Sequence, residues 1–191
     1  MTRKSREWYP NVMMHITSRG NRRNDIFRDD EDFQVYLSTL EYILEKTSAQ
    51  FELISYVLMS NHVHLQVQTK EMHIKYFMGR LNNLYAKYFN NKYNYVGHLF
   101  QERYGSEIIS DDKYVLEVSR YIHLNPVRAN MVKKPEEYMW SSYRMYISIV
   151  PEKTIETLGI LSYFKGEDRR LFYKEYVERA IKTYDSEEET C

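Results

Sequence analysis

The stretch 51–69 constrains this chain more than any other. Residues 51–59 (FELISYVLM) form an apolar run of strand type, and Ser60-Asn61 reads as a turn. From His62 to Thr69 the pattern alternates strictly, with Val63, Leu65 and Val67 on one side and His62, His64, Gln66 and Gln68 on the other. Strand side chains project to opposite faces at period two, so 62–69 is expected to be a half-buried strand with one polar face.

The segments around it supply the rest of a fold. Residues 12–18 (VMMHITS) are short, apolar and partly β-branched, and Gly20 stops them as a strand. The acids at 29–32 offer an N-cap and a first helical turn. Phe33, Tyr36, Leu37, Leu40, Ile43 and Leu44 then recur at helical spacing, giving an amphipathic helix over 31–47. Ile74, Phe77, Met78, Leu81, Leu84, Tyr85 and Tyr88 mark a second helix over 71–90, followed by an Asn- and Tyr-rich loop closed by Gly97. Residues 99–110 read as a fourth strand. Asp111-Asp112 caps a third helix that Pro126 is expected to end or bend. The order β-α-β-β-α-β predicts an α+β fold of ferredoxin-like type, an antiparallel sheet with helices on one face. Additional C-terminal helices follow, one of them over 168–184. The division expected is a domain over 8–146 and a C-terminal helical extension with an acidic tail over 147–191.

Composition narrows the class. Lys and Arg number 27 and Asp and Glu 27, so the net charge of the 191 residues is zero. No apolar stretch is long enough to cross a bilayer and no apolar segment follows the charged N-terminus, which predicts a cytoplasmic protein with no membrane partner. A single cysteine, Cys191, excludes a disulfide framework and a cysteine-based zinc site. The charge is nevertheless uneven: residues 1–28 carry seven basic against two acidic side chains, and 72–105 carry five against one. Two basic segments on a neutral chain suit an anionic partner held on one face, although ordinary solvated charge has the same composition. Nineteen tyrosines provide surface for stacking on unpaired bases, or equally a tyrosine-rich core rim.

Two constellations carry chemistry. His62 and His64 lie at i and i+2 on a strand, so both imidazoles leave one face and can grip a divalent ion together; the alternative is a hydrogen-bonded surface pair. Tyr121 and Asn125 are four apart on the third helix and share a face. A tyrosine hydroxyl is a competent nucleophile beside a metal-polarised electrophile, and an amide oxygen can complete that metal's shell. Alternatively, Tyr121 is one more interfacial tyrosine and Asn125 a cap for the helix that follows.

Four motifs in order, 18–23 (SRGNRR), 59–64 (MSNHVH), 97–101 (GHLFQ) and 121–128 (YIHLNPVR), together resemble the single-tyrosine HUH transposases. More narrowly, the chain is similar to the insertion-sequence-200-like transposase domain and its REP-associated tyrosine transposase branch, from about residue 10 to Tyr143. HUH stands for His, a hydrophobic residue, His, here residues 62–64. The resemblance implies a ferredoxin-like fold and cleavage and rejoining of hairpin-containing single-stranded DNA through a 5′-phosphotyrosine. It implies Tyr121 as the nucleophile, with His62, His64 and Asn125 holding Mg²⁺ or Mn²⁺. Arg19, Arg22, Arg23, Lys75, Arg80 and Lys87 are the candidates for phosphate contacts, and Tyr93, Tyr95 and the neighbouring Asn90, Asn91 and Asn94 for an exposed base. The family includes both homodimers and monomers, so the resemblance leaves a homodimer open as a partner state. A catalytically silent hairpin-binding module on the same fold is the alternative function.

Overall fold

A computed structural model describes residues 7–188, the side chains of 182–188 excepted. Arg3, Lys4, Arg6, Glu189 and Cys191 lie outside the described residues, as do the side chains of Asp185, Glu187 and Glu188 in the acidic tail. Four strands, β1 (Met13–Arg19), β2 (Phe51–Met59), β3 (His62–Thr69) and β4 (Gly105–Ile108), form one sheet in the order β2-β3-β1-β4 with every neighbour antiparallel. With α1 (Asp30–Lys46) between β1 and β2, and α2 (Ile74–Tyr93) between β3 and β4, this is the expected α+β, ferredoxin-like arrangement. α3 (Asp112–Arg128), two single-turn helices α4 (Tyr143–Tyr146) and α5 (Leu158–Leu161), and α6 (Arg169–Glu188) complete it.

The helices do not all lie on one face. Met14 and Ile16 of β1, with Val63, Leu65 and Val67 of β3, pack against Tyr36, Leu40 and Ile43 of α1 and Phe77, Leu81 and Tyr85 of α2. Ile54, Val57 and Met59 of β2 face the other way, into a second core with Val118 and Ile122 of α3, Tyr146 of α4, Ile160 of α5, and Tyr173 and Val177 of α6. A register shift between Leu53 and Ser55 inserts Ile54 as an extra residue, so that Ile54 and Ser55 both face this side. The sheet is therefore the middle of three layers, and the polar side of β3 is roofed rather than solvated. Gln66 is fully buried there, its amide accepting from Ser55 Oγ at 2.9 Å and donating to the Val115 carbonyl at 3.1 Å.

Three boundaries moved for physical reasons. α2 runs through Asn90, Asn91 and Tyr93 to a left-handed Asn94 (φ 48°), so most of the Asn- and Tyr-rich segment is helix. Its last turn is anchored to the start of α1: Lys92 Nζ meets Asp29 at 2.8 Å and Asp32 at 2.9 Å, and the Tyr93 hydroxyl donates to Asp32 at 2.8 Å. The fourth strand shrinks to Gly105–Ile108, preceded by an isolated bridge between Gly20 and Phe100. Pro126 sits inside the last turn of α3 rather than ending it.

The segment after α3 closes the β2 edge. Leu58 N–H donates to the Trp140 carbonyl at 2.9 Å and Ser142 N–H to the Tyr56 carbonyl at 3.0 Å, satisfying backbone groups that an open edge strand would expose.

Candidate active site

α3 crosses the roofed face of the sheet, and this crossing builds the site. Asp111 caps the helix by accepting from the Tyr114 N–H at 2.9 Å, and Val118 and Ile122 bury its inner stripe. Tyr121 and Asn125, one turn apart, are thereby carried to the imidazoles of β3. The Tyr121 ring stands 5.3 Å from the His64 ring, nearly perpendicular at 86°. His62 and His64 are themselves 5.0 Å apart and edge-on. Asn125 is buried and its side chain hydrogen-bonds His62. All four residues singled out in the sequence thus meet at one place in one chain.

The outward ring nitrogens are already engaged. Asn61 Nδ2 donates to the Arg23 carbonyl at 3.3 Å, which turns its Oδ1 toward His62 Nδ1, 2.6 Å away. An amide oxygen only accepts, so His62 donates from Nδ1 and carries no proton on Nε2. His64 Nδ1 lies 2.9 Å from Nε2 of a third histidine, His15. His15 sits on β1 diagonally across from His64, its ring stacked on that of His64 and edge-on to Tyr121 at 5.8 Å.

Burial keeps these rings neutral. It pushes His64 down to about 2, with the neighbouring His15, His62 and Arg19 adding to the shift. Burial and Arg19 lower His62, against the opposing hydrogen bond from Asn125. Burial likewise lowers His15, opposed by Glu107. Neutral imidazoles are the form that ligates a metal. Among the described residues no group of three or more His, Cys, Asp or Glu side chains can hold an ion. Two imidazoles and one amide oxygen therefore form the available donor set, which fits a hard divalent cation that completes its shell with oxygens from a phosphate and water.

The other residues singled out in the sequence divide between two faces. Arg19 ends β1 close enough to lower both His62 and His64, and Arg22 and Arg23 follow in an exposed turn with left-handed backbone (φ 54° and 62°). Gly20 permits that turn, since a Cβ there would lie 2.1 Å from the Asn24 carbonyl oxygen. Lys75, Arg80 and Lys87 are exposed on α2, on the far side of the sheet. Arg80 stacks over Tyr42 of α1 at 5.4 Å, and Lys75 lines a groove of about 620 Å³ between α2 and the 97–104 loop. Tyr93 and Tyr95 are structural: Tyr93 bonds Asp29 and Asp32, and Tyr95 packs edge-on to Phe89.

Two residues at the site were not singled out in the sequence. His15 looks like any lone histidine in an apolar strand, and only its spacing from Arg19 hinted at a shared face. Arg128 brings its guanidinium 5.0 Å from the centre of the Tyr121 ring. Both line an open cleft of about 490 Å³ beside Tyr121, together with Glu107, Tyr114 and Arg120.

Comparison with known proteins bears on the family and the fold. The family described as "Transposase IS200 like" matches residues 9–125, more than half of the chain. A REP-associated tyrosine transposase, solved bound to a REP hairpin, superposes with a TM-score of 0.65 at 16% identity, covering 82% of this chain and 98% of that one. A putative transposase from Deinococcus radiodurans R1 is similar at 20% identity and a TM-score of 0.44, covering 63% of this chain and 95% of that one. No curated protein matches. With the family's pattern running from the first strand to the asparagine one turn beyond Tyr121, the chain belongs to the IS200-like transposase family.

Proposed function

We propose that this transposase-family chain cuts and rejoins hairpin-containing single-stranded DNA, with Tyr121 as nucleophile and His62, His64 and Asn125 as protein ligands of Mg²⁺ or Mn²⁺. The observation that carries the reading is the convergence of a phenol, two neutral imidazoles and an amide on one buried face. When bound, such an ion withdraws charge from the scissile phosphate and makes its phosphorus more electrophilic.

The Tyr121 oxygen attacks phosphorus, the bond to the 3′-oxygen breaks, and the 5′ side is left as a phosphotyrosine ester. The phenol loses one proton and the departing 3′-hydroxyl gains one, so the exchange is proton-neutral. It also conserves the phosphodiester's energy, and rejoining is the same step in reverse on a new 3′-end. Arg128, over the Tyr121 ring, stabilises charge developing on the phenol, and the open cleft beside it admits the strand. Arg19, Arg22 and Arg23 hold phosphates next to the imidazoles, while Lys75, Arg80 and Lys87 contribute only where the DNA wraps to the α2 side. The similar structure's REP hairpin supports a hairpin as the partner.

The test is a trapping assay with a pool of 3′-labelled structured oligonucleotides, since the 3′ portion of the strand is the part that stays on the tyrosine. The native chain with Mn²⁺ should give a denaturation-resistant protein–DNA band. Tyr121→Phe should lose that band while still shifting the hairpin in a native gel, and EDTA should abolish it. An adduct persisting in Tyr121→Phe overturns the nucleophile assignment. Hairpin binding with no adduct from the native chain leaves the silent binding module in its place.

A further inference from the structure

His15 has a geometry that a bystander in the strand would not need. Its Nε2 is 2.9 Å from His64 Nδ1, its ring stacks on the His64 ring, and its edge-on contact with Tyr121 closes the gap between nucleophile and imidazoles. Between two imidazole nitrogens at this distance, one donates and the other accepts. If His64 donates, its Nε2 is bare and open to a cation. If His15 donates instead, His64 carries its proton on Nε2 and cannot ligate through it. The neighbours favour the first arrangement. Glu107 stands directly across from His15 in the β1–β4 ladder, on the same face, and lines the same cleft. A carboxylate there attracts a protonated His15 Nδ1, which leaves Nε2 as the acceptor toward His64. His62 is held in the same sense by Asn61, so both imidazoles of the HUH motif would have their Nδ1 protons committed to a neighbour.

We propose that His15 is a positioning residue, locking His64 in the Nδ1–H tautomer and turning its Nε2 to the metal. The inference rests on the proposed metal site and adds a residue to it. Neighbours of this kind fix ring orientation and ligand basicity, and their loss typically weakens metal binding about 10- to 100-fold.

The experiment uses the full chain with ¹⁵N-labelled histidine. Long-range ¹H–¹⁵N spectra read the tautomer of each ring without metal, and Mn²⁺ titration followed by electron paramagnetic resonance reads affinity. The native chain should show His64 protonated on Nδ1. His15→Phe, which keeps a ring of similar shape but cannot accept, should release that preference and weaken Mn²⁺ binding by at least about tenfold. His15→Gln places an acceptor oxygen near the Nε2 position and should restore both readings. Thermal melts of each variant identify any loss due to unfolding. A native His64 protonated on Nε2 overturns the proposal, as does a His15→Phe chain that keeps both the tautomer and the affinity. Failure of the native chain to bind Mn²⁺, with the tautomer still under His15's control, would sink the metal site and this proposal with it.

Discussion

His123, two residues beyond Tyr121, faces away from the chemistry and into the second core. It is fully buried, with Nδ1 2.6 Å from the Tyr173 hydroxyl of α6 and Nε2 2.7 Å from Ser142 Oγ, while Ser119 also meets that hydroxyl at 2.6 Å. Burial drives its protonation down to about 3. Between that value and the ordinary histidine value near 6.5, the unfolded chain binds a proton that the folded chain refuses. Stability is therefore lost as pH falls through this window, by about 1.4 kcal/mol per pH unit for one such group. His123→Gln should flatten the slope of urea-unfolding stability between pH 6.5 and 5 by about one proton, whatever its effect on stability at pH 7. An unchanged slope would show that His123 is protonated in the folded protein. At this scale the sequence disclosed Tyr121, Asn125, His62 and His64 through spacing and motif. It did not disclose His15, because a lone histidine on a strand acquires meaning only from the register that lays β1 beside β3.

At the scale of elements, the first and second helices are clamped at one end. Asp32 has no exposed surface, and its carboxylate receives the Arg28 N–H at 2.7 Å, the Tyr88 and Tyr93 hydroxyls and Lys92. Burial raises its protonation, but these donors together outweigh it and hold the group below the usual carboxylate range. Lys92→Met should remove one donor from that buried carboxylate and lower the midpoint of a denaturant titration. An unchanged midpoint would mean the tyrosines and the Arg28 backbone suffice. The clamp also shows why 90–95 read as a loop: Asn and Tyr are weak helix formers, and tertiary bonds to α1 override that preference. The three boundaries that held best, α1, β2 and β3, are those with a strong local period and a clear start signal. The apolar run of β2 carried further information in its lack of alternation, since a strand apolar on both sides is covered on both sides.

Over the whole molecule, the two cores divide the labour. One binds α1 and α2 to the sheet and includes none of the four site residues, while the other holds α3 in place from behind through α4, α5 and α6. The family's match ends at residue 125, yet Tyr173 and Val177 of α6 are fully buried against α3. The helix bearing the phenol thus rests on residues that periodicity could place on a helix but not against a neighbour. The neutral net charge concealed a similar division: Arg19 lies by the imidazoles, with Arg22 and Arg23 exposed in the turn that follows it, whereas Lys92 is consumed by Asp29 and Asp32.

The 5.3 Å approach of the Tyr121 and His64 rings within a single chain has a genetic consequence. On the proposed function each copy holds its own phenol and imidazoles, so two defective copies have nothing to lend each other. An equimolar mixture of Tyr121→Phe and His64→Ala chains should form no covalent DNA adduct at any concentration, and recovery of the adduct on mixing would instead assign each phenol to its neighbour's imidazoles.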